Sequence, residues 1–153
     1  MMPLPESFLM SLKEFGEKLG IELGLEDGRC IFEVDGKLDV EIDYYEEAHV
    51  VVAWATVGVA PEDNFQDERA RALLALNELG APNGGFSISM DPETRCVIAH
   101  DNRPAELFES GDRIAAWIGA LCDLVYLIRR KFEEEFPCAD LPLEDEADEE
   151  EEL

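Results

Sequence analysis

An α+β fold ordered α-β-β-β-α-β-β-α is the architecture this sequence predicts, and three features point to it. Apolar residues recur at three- and four-residue spacing near both ends of the 153-residue chain, the mark of amphipathic helices. Between them lies "KLDVEIDYYEEAHVVVAWATVG", Lys37 to Gly58, which begins as a strict alternation and ends as a nearly unbroken apolar run. Two turn signals, Asp35-Gly36 and Pro92-Glu93-Thr94, each join a pair of strand-like stretches into a hairpin.

The elements follow in order. Phe8, Leu9, Leu12, Phe15 and Leu19 define a first helix from about Pro5 to Leu19, which Gly20 and Gly24 end. "RCIFEV", Arg29 to Val34, reads as a strand, and Asp35-Gly36 tolerates the left-handed backbone that a tight hairpin turn requires. Leu38, Val40, Ile42 and Tyr44 then alternate with Asp39, Glu41 and Asp43, so the acids should form a wet face of the second strand. Glu46-Glu47 turn into "HVVVAWATVGV", whose apolar residues on both faces place it at the sheet centre. Pro61 to Asn64 lead into an N-capped helix at roughly Phe65 to Leu79. One stripe of that helix holds Phe65, Ala72, Leu73, Leu76 and Leu79, and Ala70, Leu74 and Ala75 widen it, so more than one side should be buried. "GAPNGG" ends it. "FSISMD" and "RCVIAHD" make the second hairpin. A last helix, about Glu109 to Phe136, carries Ile114, Trp117, Ile118, Leu121, Leu124, Val125, Ile128 and Phe132 on one stripe. It should reach roughly 40 Å, with its far end projecting.

Composition narrows the function. Acids outnumber bases 37 to 12, for a formal net charge of −25, so a phosphate backbone or an anionic membrane surface is repelled. No nucleic-acid and no membrane partner is expected; basic or weakly charged apolar partners fit better. No apolar run reaches about 18 residues, and "MMPLPESFLM" lacks a signal peptide's basic and long apolar regions, so a cytoplasmic location is expected. Cys30, Cys96, Cys122 and Cys138 form no CxxC pair and read as small hydrophobes rather than a zinc or redox site. Residues 1–137 read as a single domain. The tail from Cys138 to Leu153 contains no base and reads as an acidic, disordered, solubilising segment.

Catalytic signatures are missing. The chain carries no GxxxxGK[ST], GxSxG, HExxH or GxGxxG motif, and neither His49 nor His100 sits beside a recognisable nucleophile. Asp35, Asp39, Glu41 and Asp43 lack the spaced Asp/Asn-Gly loop of a calcium site, so no metal and no cofactor is expected. Spare apolar surface on a highly charged chain fits a protein whose task is to hold another protein.

These patterns resemble the class I type III secretion chaperones, the Tir-chaperone (CesT-like) family of bacteria. The resemblance runs from about Phe8 to Phe136 through "FLMSLKEFGEKLGIEL", "GRCIFEVDGKLDVEI", "VVVAWATVG", "RALLALNELGAPNGGFSISMD" and "TRCVIAHDNRP", with Leu73-Leu74-Ala75-Leu76-Asn77 the most telling part. It implies three helices packed on a twisted antiparallel sheet of about five strands, a homodimer, and no enzyme activity or ATP use. The implied partner is a secreted effector, whose N-terminal segment is held in extended form, kept soluble and presented to the secretion apparatus. Under the resemblance, Leu73, Leu76 and Leu79 fall at the dimer interface. Phe8, Leu12 and Phe15, with Ile88, Met90 and Ile98, are candidates for the effector-binding groove. The other reading is a YbjN-like regulatory or stress-related binding protein on the same scaffold.

Overall fold

The computed structural model describes residues 4–77 and 85–135. Its elements are α1 (Leu4–Leu19), β1 (Arg29–Val34), β2 (Leu38–Tyr45), β3 (Val50–Val59), α2 (Gln66–Ala75), β4 (Ser87–Met90), β5 (Cys96–Pro104) and α3 (Gly111–Glu135). A short 3₁₀ turn, Ala105–Leu107, precedes α3. This is the predicted α+β order. The five strands form one antiparallel sheet in the order β1-β2-β3-β5-β4, with β3 central as its two-sided apolar sequence requires and β1 and β4 at the edges. Asp35 (φ 54°) and Gly36 (φ 65°) are both left-handed, and the Lys37 amide donates to the Val34 carbonyl at 3.1 Å, which closes the first hairpin. Among the described residues no helix is long and apolar enough to cross a membrane. The predicted boundary at Pro137 and the acidic tail lie outside the described residues.

The described residues fall into two compact units. One lies within Met1–Trp54 and Asp101–Cys122. Its core is aromatic: Phe8 stacks on Tyr44 at 5.6 Å, Phe108 packs on Trp117 at 4.5 Å, and Phe15 meets Phe32 edge-on. Leu12, Val40, Ile42, Ile114, Ile118 and Leu121 complete it. α1 and the start of α3 approach so closely that a Cβ on Gly111 would lie 2.7 Å from the Phe15 nitrogen, so only glycine fits there. An ion pair between Lys18 and Asp112 ties the same two helices at the surface.

The other unit lies within Ala55–His100 and Asp123–Leu153. Val57, Leu73, Leu76, Phe86, Ile88, Val97, Ala99, Leu124, Val125, Ile128 and Phe132 are buried in it. The expected projecting end of the last helix is therefore corrected: Ile128 and Phe132 are fully buried, because the apolar stripe continues through the last turns. Three arginines organise this unit. Arg129 donates to the carbonyls of Val57 (2.8 Å) and Thr56 (3.3 Å), Arg95 to Ala60 (2.9 Å) and Pro61 (3.4 Å), and Arg69 to Pro61 (3.0 Å). Arg69, buried and lying over the Phe132 ring at 6.0 Å, also donates through Nη2 to both oxygens of Asp63 at 3.1 and 3.0 Å. Asp63 Oδ1 in turn accepts from the Phe65 amide at 2.9 Å. Asp63 thus fixes the turn before α2, which starts at Gln66 and whose N-cap residue, Phe65, makes no side-chain cap bond in place of the cap the sequence led one to expect.

The Arg69 hydrogen bonds hold the Asp63 carboxyl below its ordinary value, so the stability they bring is present above the usual carboxylate range and is lost on acidification through it. Arg69→Met should lower the urea midpoint at pH 7 and flatten the loss of stability on acidification below pH 4. The exposed Arg71→Met should do neither.

Candidate binding surface

The sequence-predicted groove residues divide between core and hairpin. Phe8, Leu12 and Phe15 are buried inside the first unit. On the second hairpin the register pairs Ile88 with Ala99, Ser89 with Ile98 and Met90 with Val97. Ile88 and Met90 thus share one face, with Ile88 buried and Met90 half-buried, while the half-buried Ile98 occupies the opposite face. Of the predicted dimer residues, Leu73 and Leu76 are buried within their unit, and Leu79 lies outside the described residues.

Other apolar side chains are presented to solvent. In the first unit, Met10 on α1 is 60% exposed and Ile31 on β1 is 63% exposed, with Leu9, Leu19 and Ile21 partly exposed. In the second unit, Leu74 on α2 is 70% exposed. The sequence did carry a signal for Ile31. Cys30, Ile31 and Phe32 are consecutive apolar residues on a strand whose side chains alternate, so one of them has to face out. Cys30 and Phe32 face in.

The two sheet edges differ. At β4, the Asn77 side chain accepts from the Ile88 amide (2.7 Å) and donates to the Ile88 carbonyl (2.9 Å), occupying the main-chain groups that point away from β5. At β1, Tyr44 donates to Gly28 at 2.7 Å, which in this register turns the amides of Ile31 and Glu33 away from β2. β1 is therefore an edge with outward-pointing amides beside an exposed isoleucine. Unprotected edges of this kind accept an added strand.

The acids on the outer face of β2 are not simply the wet side that alternation predicted. Asp39 is exposed, but Glu41 is only 6% exposed and Asp43 is half-buried. Arg29 forks onto Glu41 through Nη2 (2.8 Å) and Nε (3.2 Å) and lies 3.7 Å from Asp43. The Trp54 indole N–H reaches Glu41 Oε2 at 3.2 Å and Asp43 Oδ2 at 3.3 Å. Burial works against ionisation of Glu41, but the hydrogen bonds from Arg29, Asp43 and Trp54 outweigh it and hold that carboxyl below its ordinary value. Asp43 goes the other way: burial, and then the Glu41 carboxylate beside it, push it up to about 6. Long-range register brings Trp54 here, which residue spacing along one strand could not reveal.

Comparison with known proteins fits this geometry. Residues 11–118 match the model of the Tir chaperone protein (CesT) family, and the chain belongs to that family. Among solved structures, the ExsC–ExsE complex contains a chain of the same fold (TM-score 0.67, 17% identity, 84% of this chain and 96% of that one). The HopA1–SchA chaperone–effector complex contains another (TM-score 0.63, 19% identity, 84% of this chain and 99% of that one). A third is in the complex of the Yersinia pestis type III secretion chaperone SycH with a stable fragment of YscM2 (TM-score 0.59, 19% identity, 79% and 98%). No curated protein sequence matches.

Core and surface roles separate by stability. Phe8→Ala and Leu12→Ala should each lower unfolding stability by about 3–5 kcal/mol, the usual loss for emptying a packed site. Met10→Ser and Ile31→Ser should stay within about 0.5 kcal/mol of the parent in the same urea titration.

Proposed function

We propose that this protein is a dimeric cytoplasmic chaperone that holds the N-terminal segment of a type III secreted effector, keeping it soluble and competent for export. The reading rests on family membership together with one feature of the surface, a β1 edge uncovered by any strand among the described residues and flanked by the exposed Ile31. An extended client adds a strand there, its main chain bonding to the outward amides of Ile31 and Glu33. Its apolar side chains find partners in Ile31, Met10 and Leu9, with Phe8, Leu12 and Phe15 forming the firm floor beneath α1. On the second hairpin, Met90 and Ile98 offer half-buried apolar contacts, one on each face. Asn77 closes the opposite edge at Ile88, so strand addition is directed to β1. No step calls for a cofactor or a bond-making residue. The high negative charge supports the same task, since it keeps a protein with exposed apolar residues from associating with itself indiscriminately.

The dimer is assigned to α2. Leu74 is an exposed large apolar side chain on it and lies beside the buried Leu73 and Leu76, so it supplies the contact that a partner copy would cover.

The complex recovered with the tagged protein from its own cells tests the client reading after limited proteolysis. One abundant partner protected over an N-terminal stretch of several tens of residues is expected. A partner held as an intact globular domain would overturn it in favour of a regulatory binding protein. Leu74→Asp should convert the dimer to a folded monomer in sedimentation experiments, and a variant that remains dimeric puts the interface elsewhere. Leu76→Asp should instead unfold the chain, because it buries a charge.

A further inference from the structure

The network on the outer face of the first unit contains one acid too many. Elsewhere in the same unit Asp101 accepts from Arg103 (2.6 Å) and from the Trp117 indole (2.9 Å), one carboxylate to one guanidinium. At Trp54 a similar combination of tryptophan, arginine and acid holds two carboxylates. Glu41 takes the Arg29 fork, Asp43 stands farther from it, and one indole N–H is offered to both acids. The side chains are 8% and 16% exposed, so water can do little to spread two adjacent negative charges. Two carboxylates in this position are most stable when they share one proton.

We propose that Glu41 and Asp43 form a proton-operated switch on the outer sheet face, closed when they share a proton at the Trp54 indole and opened when that proton leaves. In the closed state the Asp43 carboxyl donates its proton to the Glu41 carboxylate, which keeps the Arg29 fork. On opening, the proton passes to solvent, the two carboxylates repel, and Arg29 is drawn from Glu41 toward Asp43, its partner across the β1–β2 ladder. Arg29 belongs to the edge strand, and the exposed Ile31 lies directly opposite Glu41. The switch thus adds a negative charge beside Ile31 and shifts the side chain next to it.

The surroundings bias the pair toward holding the proton. On the same face β1 brings Arg29 and Glu33, and β2 brings Asp39 and Tyr45. β3, with the sequence VVVAWATVGV, brings no titratable side chain. Among the described residues of β1, β2 and β3 on this face, Arg29 is the one Lys or Arg, set among several acids. Asp43 sits at about 6 in the folded protein against 3.8 ordinarily. A raised acid favours the folded state while it is protonated, so this contribution is complete below pH 4 and is lost as pH rises through 6.

The Trp54 indole N–H resonance of the full chain, assigned with Trp54→Phe and followed from pH 4.5 to 8, reads the switch directly. Its shift should inflect near pH 6. In Asp43→Asn the inflection should disappear, and in Glu41→Gln it should move down toward the ordinary carboxylate range. Asp43→Asn should also raise the melting temperature at pH 7.5, by progressively less as pH falls through 6, and not at all at pH 4 and below. A Trp54 resonance with no inflection between pH 5 and 7 overturns the proposal, as does an inflection that persists in Asp43→Asn. The titration of the parent protein decides the matter even if a variant fails to fold.

Discussion

Main-chain carbonyls at the end of the central strand set the terms for the second unit. β3 ends at Val59, and beyond it the chain turns through Ala60 and Pro61 into α2. Carbonyls left without donors in a packed setting would each be costly. Arg129, Arg95 and Arg69 supply the donors, reaching Thr56, Val57, Ala60 and Pro61. Lysine could not do the same, because it lacks the planar fork that bonds two carbonyls, or a carbonyl and a carboxylate, at once. In a chain with only 12 basic residues, placing three of them here shows where cationic donors are most needed. Asp63 joins the cluster from the loop and brings the start of α2 with it.

The excess of acid has an equally specific effect on the first unit. Most carboxylates can sit in water and keep the molecule apart from its copies. Glu41 and Asp43 are held out of it, sharing the Trp54 indole N–H, with Arg29 the cation paired to them among the described residues. The exposed Ile31 stands on the edge strand beside this network. Apolar contact, an open main-chain edge and a titratable charge thus coincide on one strand pair. The β4 edge, by contrast, is occupied at Ile88 by Asn77.

Much of the fold was legible because it follows local periodicity. The bounds of β1, the Asp35-Gly36 turn, the central place of β3 and the stripe of α3 all come from spacing within one element. The rest depended on partners that spacing does not disclose. Arg69 sits on a helix position that composition assigns to solvent, yet it is buried, because Asp63, Pro61 and the Phe132 ring meet its charge. Glu41 follows the polar phase of its strand and is buried all the same, its charge met by Arg29 and by the indole N–H of a tryptophan from the neighbouring strand. On α1 the spacing singled out Phe8, Leu12 and Phe15; these large side chains went to the core, and Met10 was left at the surface. On α2 the broad apolar stripe was visible, but which leucine remained outside depended on how the helix rolled toward its unit.

The central claim is that an extended client segment adds to the β1 edge. Amide hydrogen exchange at Ile31 and Glu33, measured on the protein alone and on the complex purified from its own cells, tests it most directly. Strand addition predicts strong protection of both amides in the complex and little change at Ile88, whose amide is already held by Asn77. Unchanged exchange at Ile31 and Glu33, with protection appearing on another element, would contradict the account.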